Sequence, residues 1–344
     1  MKKFVSLFLC ALLCMSLLAG CANDTTDPTD ASVNDATNAA TAGDAAADPA
    51  ENDKFVVGIC QLVTHDALDA ATQGFKDALI AELGEENVEF IEQNAAGEAN
   101  TCVTIVNDFV SKEVDLIMAN ATAALQAAAN ATLDIPILGT SITEYGVALE
   151  IADFNGTVGG NISGTSDLAP LDEQAQMVID LVPDAQTVGL LYCSAEPNSE
   201  YQVKVVREYL ENAGLTVEDF AFSASSDVAQ VAEAAAAACD ALYIPTDNTA
   251  ASCTETINNV VLPTGTPIIA GEAGICGGCG IATLSISYYE LGKTTGAMAA
   301  KILKGEADIA EMPIEYDNNP VKKYNAVNCA ELNIAVPEDY EPLA

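Results

Sequence analysis

Two successive runs of alternating short β-rich stretches and helix-length amphipathic stretches leave little choice of fold. Phe55 to Gln61 (FVVGICQ) reads as a strand, and from Asp66 to Leu83 the residues Leu68, Ala71, Phe75, Leu79 and Leu83 fall at helical spacing before Gly84 stops the helix. A strand follows from Val88 (VEFIEQN), then a helix through Val103, Val106 and Val110. A strand from Asp115 (DLIMAN), a helix from Thr122 and a strand from Ile135 (IPILGT) complete the first series. Strands separated by helices of this length predict right-handed βαβ units and a parallel sheet.

Residues 141–169 read as irregular, and the pattern then starts again. Thr187 to Tyr192 (TVGLLY) is a predicted strand, Glu200 to Ala213 a helix, Leu215 to Phe222 a strand and Asp227 to Ala238 an Ala-rich helix. A strand from Ala241 (ALYIP), a helix from Asn248 and a strand from Pro267 (PIIAG) follow. The halves echo one another in residues: Asp115-Leu116-Ile117-Met118-Ala119 matches Asp240-Ala241-Leu242-Tyr243-Ile244. Likewise Pro136-Ile137-Leu138-Gly139-Thr140-Ser141 matches Pro267-Ile268-Ile269-Ala270-Gly271-Glu272. The expectation is two doubly wound α/β lobes of the same kind. The tail offers a strand from Ile281 to Ser287, a helix from Tyr289 to Leu303 and short strands near Ile314 and Tyr324, too little for a third core. These pieces must complete the two lobes, so the chain crosses between them more than once and makes a hinge. We place residues 54–165 and 288–308 in an N-terminal lobe, and 166–287 and 309–344 in a C-terminal lobe.

The start of the chain is of another kind. Lys2 and Lys3 precede a short apolar run, Phe4 to Leu18, which ends at Leu18-Ala19-Gly20-Cys21. This layout is a cleaved secretory leader, residues 1–20, too short for a comfortable membrane span. Its end resembles the bacterial lipoprotein signal, in which the cysteine carries the lipid, here Cys21. Residues 22–53 hold Val33 as their only large aliphatic side chain and cannot bury enough surface to fold. As a coil they reach about 30 Å, a tether between membrane and folded body.

Composition excludes several functions. With 51 acidic against 12 basic side chains the formal net charge is −39, a field that repels nucleic acid. Arg207 and His65 are the only residues of their types, so neither a bidentate arginine clamp for phosphate nor a multi-histidine metal site is available. We expect no metal and no cofactor. The 11 cysteines show no regular spacing and read mostly as small buried residues. Cys276-Gly277-Gly278-Cys279 is the exception, and reads as a structural turn or a local disulfide rather than a redox pair. No G-x-S-x-G, G-x-G-x-x-G or G-x-x-x-x-G-K-[ST] motif occurs, so no catalytic role is expected. A carboxylate pair doing acid–base work stays open.

In open parallel sheets, ligands bind beyond the carboxyl ends of the strands, and two facing lobes enclose a cleft there. The residues at those ends are Gln61 to His65, Asn94, Thr122, Thr140, Ser141, Asn198, Ser199, Asp247, Asn248 and Glu272. Hydroxyls, amides and helix N-termini suit a carboxylate, while Asp247 and Glu272 suit an ammonium. A zwitterion meets both. Each position also has a plainer reading. Thr122, Ser199 and Asn248 fit ordinary helix N-caps, His65 fits a solvated residue at a helix start, and Asp247 or Glu272 fits a hinge or interlobe contact.

Several stretches taken together resemble the substrate-binding lipoproteins of bacterial ABC importers, in particular the tryptophan/tyrosine group. They are VGICQLVTHDALDAATQGFKDAL from Val57, DLIMANATAALQAAANATLDIPILGTSIT from Asp115, NISGTSD from Asn161 and ALYIPTDNTAAS from Ala241. IIAGEAG from Ile268 and SYYELGKTTGAMAAKILKGEA from Ser287 continue the match. The resemblance implies two hinged lobes of the periplasmic-binding-protein type I kind. It also implies a monomer that closes on an L-amino acid, usually aromatic, and delivers it to a permease driven by an ATPase. It places Gln61, Thr122, Ser141, Thr165, Ser166, Asn198, Asp247 and Glu272 in the binding motifs. Within these, it implies Asp247 or Glu272 for the ammonium, and Thr122 and Ser141 with backbone N–H groups for the carboxylate. Leu62, Tyr145 and Tyr288 are the expected selectors of the side chain. The GICGGCG stretch from Gly274 departs from the family's charged, cysteine-free turn. The same scaffold holding an aliphatic amino acid or a sugar, an extracytoplasmic sensor, and a hydrolase are the competing expectations.

Overall fold

The computed structural model describes residues 54–317 and 319–343, so the leader, Cys21 and the tether lie outside the described residues. The first series forms β1 (Phe55–Gln61), α1 (Asp66–Leu83), β2 (Val88–Asn94), α2 (Ala99–Ser111) and β3 (Leu116–Asn120). It continues with α3 (Thr122–Ala131), β4 (Ile137–Ile142), α4 (Tyr145–Ala148) and β5 (Ile162–Ser166). The second comprises α5 (Leu171–Leu181), β6 (Thr187–Cys193), α6 (Pro197–Asn212), β7 (Thr216–Phe222) and α7 (Val228–Ala238). After β8 (Ala241–Ile244) come α8 (Asn248–Ala251), α9 (Thr254–Val261), β9 (Ile268–Ala270), α10 (Ala273–Gly278) and β10 (Ala282–Ser285). The tail adds α11 (Tyr288–Leu303), β11 (Glu315–Tyr316), β12 (Val321–Tyr324), α12 (Ala326–Glu331) and β13 (Glu341–Pro342).

The echo in sequence is an echo in topology. The sheets run β11-β5-β4-β3-β1-β2 and β13-β12-β10-β9-β8-β6-β7, so the five core strands of each follow one order. Their core pairings are parallel, and only β12 runs antiparallel to its neighbour β10. Residues of β3, β4 and β8 are buried throughout, as a sheet covered on both faces requires. The matched aspartates do matched work. Asp115 accepts from the Val56 N–H and Asp240 from the Gln186 and Thr187 N–H groups, pinning the start of the neighbouring strand in each lobe.

Several elements depart from the sequence reading, among them α4, β5, α5, α10 and α12. β5 lies within the stretch read as irregular, because ISGTS carries almost no large apolar side chain. Its strand is buried instead by the Tyr145 ring and by Ile142, where a β-bulge shifts the β4–β5 register between Gly139 and Ile142. α5, not marked by the strand–helix alternation, buries Leu171, Ala175, Val178 and Leu181 at helical spacing. Cys276 and Gly277-Gly278 sit in α10, and Cys279 caps its end, so the C-x-x-C is helical rather than a turn. Both thiols are free and buried.

The chain passes between the sheets three times, after β5, after β10 and after β11. Within residues 309–344, grouped above with the C-terminal lobe, the two-residue β11 lies on the edge of the first sheet. The second crossing returns α11 to the first lobe, where it packs on α1. The two helices touch backbone to backbone, because Gly74, Gly292 and Gly296 face the Tyr289, Ala71 and Phe75 carbonyls with no room for a methyl group. This close packing sets where His65, at the start of α1, and Tyr288, at the start of α11, meet the cleft.

Candidate functional site

The strand ends of both lobes converge on one enclosed cavity between them. His65, Leu68, Ser141, Thr143 and Asp167 line it from the first lobe and the crossing after β5. Asn198, Thr246, Asp247, Asn248, Ala251 and Glu272 line it from the second, and Tyr288 from the crossing after β10. Its interior is about 10 Å³, the space of roughly one water. The bulge in β4 aims Ser141 into this space, at a left-handed φ of 55° that a serine adopts only under constraint.

Three carboxylates meet here, and no lysine or arginine lines the cavity among the described residues. Asp247 caps α8, its oxygens accepting from the Ala250 N–H at 2.8 Å, the Cys193 N–H at 2.7 Å and the Ser199 hydroxyl at 2.8 Å. Glu272 caps α10 through the Gly274 and Ile275 N–H groups. Asp167 accepts from the Tyr288 hydroxyl at 2.9 Å, which ties one crossing of the chain to another. Burial raises the pKa of all three. Asp247 reaches about 7 by burial and the nearby Glu196 charge, and Glu272 about 7 by burial. Asp167 is raised by burial against the pull of its hydrogen bonds. Unlike Asp247 and Glu272, Asp167 keeps one buried oxygen, Oδ1, without a partner, and the Ser141 hydroxyl and His65 Nδ1 are likewise unpartnered.

These shifts carry a stability prediction. In the unfolded chain carboxyls ionise near pH 4, while Asp247 and Glu272 hold their protons to about 7 when folded. The folded state therefore binds more protons between those values, and its stability falls as pH rises through that window. Each group contributes on the order of 3 kcal/mol. Melting temperature measured against pH should show this loss, and the Asp247→Asn, Glu272→Gln double variant should lack it.

Of the residues singled out in the sequence, Ser141, Asn198, Asp247 and Glu272 line the cavity, joined by Tyr288, His65 and Asn248. Gln61, Thr122, Thr165 and Ser166 do not. Gln61 is held by Val63, Asp69 and Thr72 at the root of α1, and Thr122 opens α3. Thr165 sits between Thr140 and Thr295, and Ser166 bonds the Thr143 carbonyl and the Leu168 N–H, so both brace the crossing after β5. Tyr145 is buried in the first core, its hydroxyl on the Thr165 carbonyl. Leu62 lines an adjoining interlobe groove of about 380 Å³ together with Val63, Ala96, Ala123 and Ala195. Sequence reasoning did not single out Asp167, Thr143 or Thr246. Asp167 ends the NISGTSD motif, and recognising a fifth strand there would have marked it as a strand-end residue.

Comparison with known proteins places this architecture. The model of the ABC transporter substrate binding protein family matches residues 56–343. A tyrosine-binding protein of Clostridioides difficile is 34% identical over 315 residues, covering 91% of this chain and 87% of the relative. Among solved structures, an ABC domain from Streptococcus pneumonia in complex with L-Trp is 32% identical with a TM-score of 0.79, covering 83% of this chain and 96% of that one. A ligand-free, open structure of a Clostridium difficile substrate binding protein with adhesive properties is 34% identical with a TM-score of 0.64, covering 84% and 99%. The chain belongs to the ABC transporter substrate-binding protein family.

Proposed function

We propose that this chain captures an aromatic L-amino acid between its lobes and hands it to the permease of an ABC importer, without catalysis of its own. The observation that carries this reading is the cavity: three buried carboxylates and no lysine or arginine among its lining residues, with Asp167 Oδ1 and the Ser141 hydroxyl unpartnered. Buried charge of one sign calls for an opposite charge, and a ligand ammonium supplies it. A cavity of about 10 Å³ accepts an ammonium head and no more, so the rest of the ligand enters with the lobes apart. For the ligand carboxylate the second lobe offers Asn198 and the N-terminus of the 16-residue α6. The alanine-rich groove beside Leu62 is the space for an aromatic side chain. The tyrosine-binding relative and the L-Trp complex support the aromatic class.

An ABC substrate-binding protein works outside the cytoplasmic membrane. We further propose that Cys21 carries a lipid, that residues 22–53 tether a monomeric body near its permease and ATPase, and that the lobes divide as assigned from sequence. A thermal-shift panel on residues 54–344 tests the ligand class. L-Trp, L-Tyr or L-Phe at a hundredfold over Kd should stabilise the protein by about 2.7 kcal/mol. Stabilisation by sugars or aliphatic amino acids alone would transfer the role to those ligands.

A further inference from the structure

The only histidine of the chain stands at the meeting of the two lobes. His65 Nε2 lies 3.3 Å from the Asn248 Oδ1 of the opposite lobe, while its Nδ1 is buried without a partner on a residue that lines the cavity. Which nitrogen carries the proton follows from the second lobe. Glu196 accepts from the Asn248 N–H at 3.0 Å, the Asn248 side-chain amide at 2.7 Å, and the Thr249 N–H and hydroxyl at 2.8 and 2.7 Å. A carboxylate surrounded by these donors, with the Asn198 amide a further one at 3.3 Å, fixes the amide: the Asn248 NH₂ faces Glu196, so the oxygen must face His65. An oxygen accepts, so Nε2 is the donor and Nδ1 of a neutral ring is a bare acceptor. Burial favours the neutral ring and outweighs the acidic neighbours Glu196, Asp69 and Asp66, which pull the other way.

We propose that Glu196 and Asn248 lock His65 in the Nε2–H form so that its Nδ1 accepts a hydrogen bond from the ligand's α-ammonium. This rests on the amino-acid reading above and adds a residue to it. The stoichiometry agrees. An –NH₃⁺ group has three donors, and the cavity holds three buried unpartnered atoms able to accept: Asp167 Oδ1, the Ser141 hydroxyl and His65 Nδ1. Glu196 and Asn248 are positioning residues, and they also couple recognition to closure, since the lock exists only when the lobes meet.

With one histidine to observe, ¹⁵N NMR of histidine-labelled protein reads the ring without assignment. With saturating L-Trp, which brings the lobes together, the ring should be neutral with protonated Nε2, and its Nδ1 resonance should differ from that of the free protein as it gains a hydrogen bond. Glu196→Gln should shift the tautomer toward Nδ1–H. His65→Gln, which keeps a donor near Asn248 and removes the Nδ1 acceptor, should weaken L-Trp at least tenfold. It should leave the affinity for indole-3-propionic acid, the same ligand without its amine, within about twofold. An Nδ1–H ring in the wild type with L-Trp bound, an Nδ1 resonance that L-Trp leaves unmoved, or an unchanged tautomer in Glu196→Gln would overturn the lock. Equal losses for L-Trp and the amine-free acid would reduce His65 to a structural contact. Absence of binding by L-Trp, L-Tyr and L-Phe to the wild type would overturn the amino-acid reading and the ligand contact with it, a different result from any of these.

Discussion

Asp167→Asn is expected to lower affinity for L-Trp and L-Tyr by about 2–5 kcal/mol, roughly 30-fold to several thousand-fold, without a loss of melting temperature. The two halves of that result have separate causes. Asp167 is 4% exposed and, while its Oδ2 accepts from the Tyr288 hydroxyl, its Oδ1 has no partner within the chain, so the ligand ammonium supplies the opposite charge that the chain does not. Asparagine keeps an oxygen for the Tyr288 hydroxyl but presents an NH₂ where the carboxylate oxygen stood, and two donors then face each other. In the free protein, the same change removes a charge whose burial already raises its pKa, so the empty fold loses nothing. Calorimetric titration together with a melting curve on one preparation checks both halves. Unchanged affinity would remove Asp167 from the site.

Gly292→Ala should destabilise the fold by about 1–3 kcal/mol or more, a drop of about 2–4 °C per kcal/mol in melting temperature. The added methyl would overlap the Ala71 carbonyl, which is backbone inside α1 and has no rotamer to give. Relief requires α11 to move off α1, and these helices carry Tyr288 and His65 into the cleft. Affinity for the aromatic ligand should therefore fall even at temperatures where the variant is fully folded. Gly305→Ala is the comparison: Gly305 meets nothing within 4 Å but has a left-handed φ of 69°, so it costs backbone strain and leaves the cleft alone. Melting curves and titrations of the two variants separate the effects, and equal affinity losses in both would contradict this account.

Much of the fold was legible because parallel strands buried on both faces are built on continuous apolar runs, as the VVGIC, LIMA and ALYI stretches of β1, β3 and β8 are. The repeat of Asp115 and Asp240 before equivalent strands exposed the doubling, and each does the same pinning work. β5 escaped because its burial comes from Tyr145, a residue outside it, and a pattern read within a strand cannot see its cover. The same blindness hid Asp167, the residue that follows that strand. Asp247 and Glu272 stood out because each follows an obvious strand, although the structure shows both oxygens of each already engaged: those of Glu272 cap α10, and those of Asp247 cap α8 and accept from Cys193 and Ser199. The state of His65 depends on Asn248, 183 residues away across the cleft, and no local spacing carries that information.

Isothermal titration of residues 54–344 with L-Trp and L-Tyr near neutral pH tests the central claim most directly. The account predicts saturable binding of one ligand per chain by at least one of them, measurably weaker when the amine is absent. Heat-free titrations with both, or equal affinity for the amine-free acids, would contradict it.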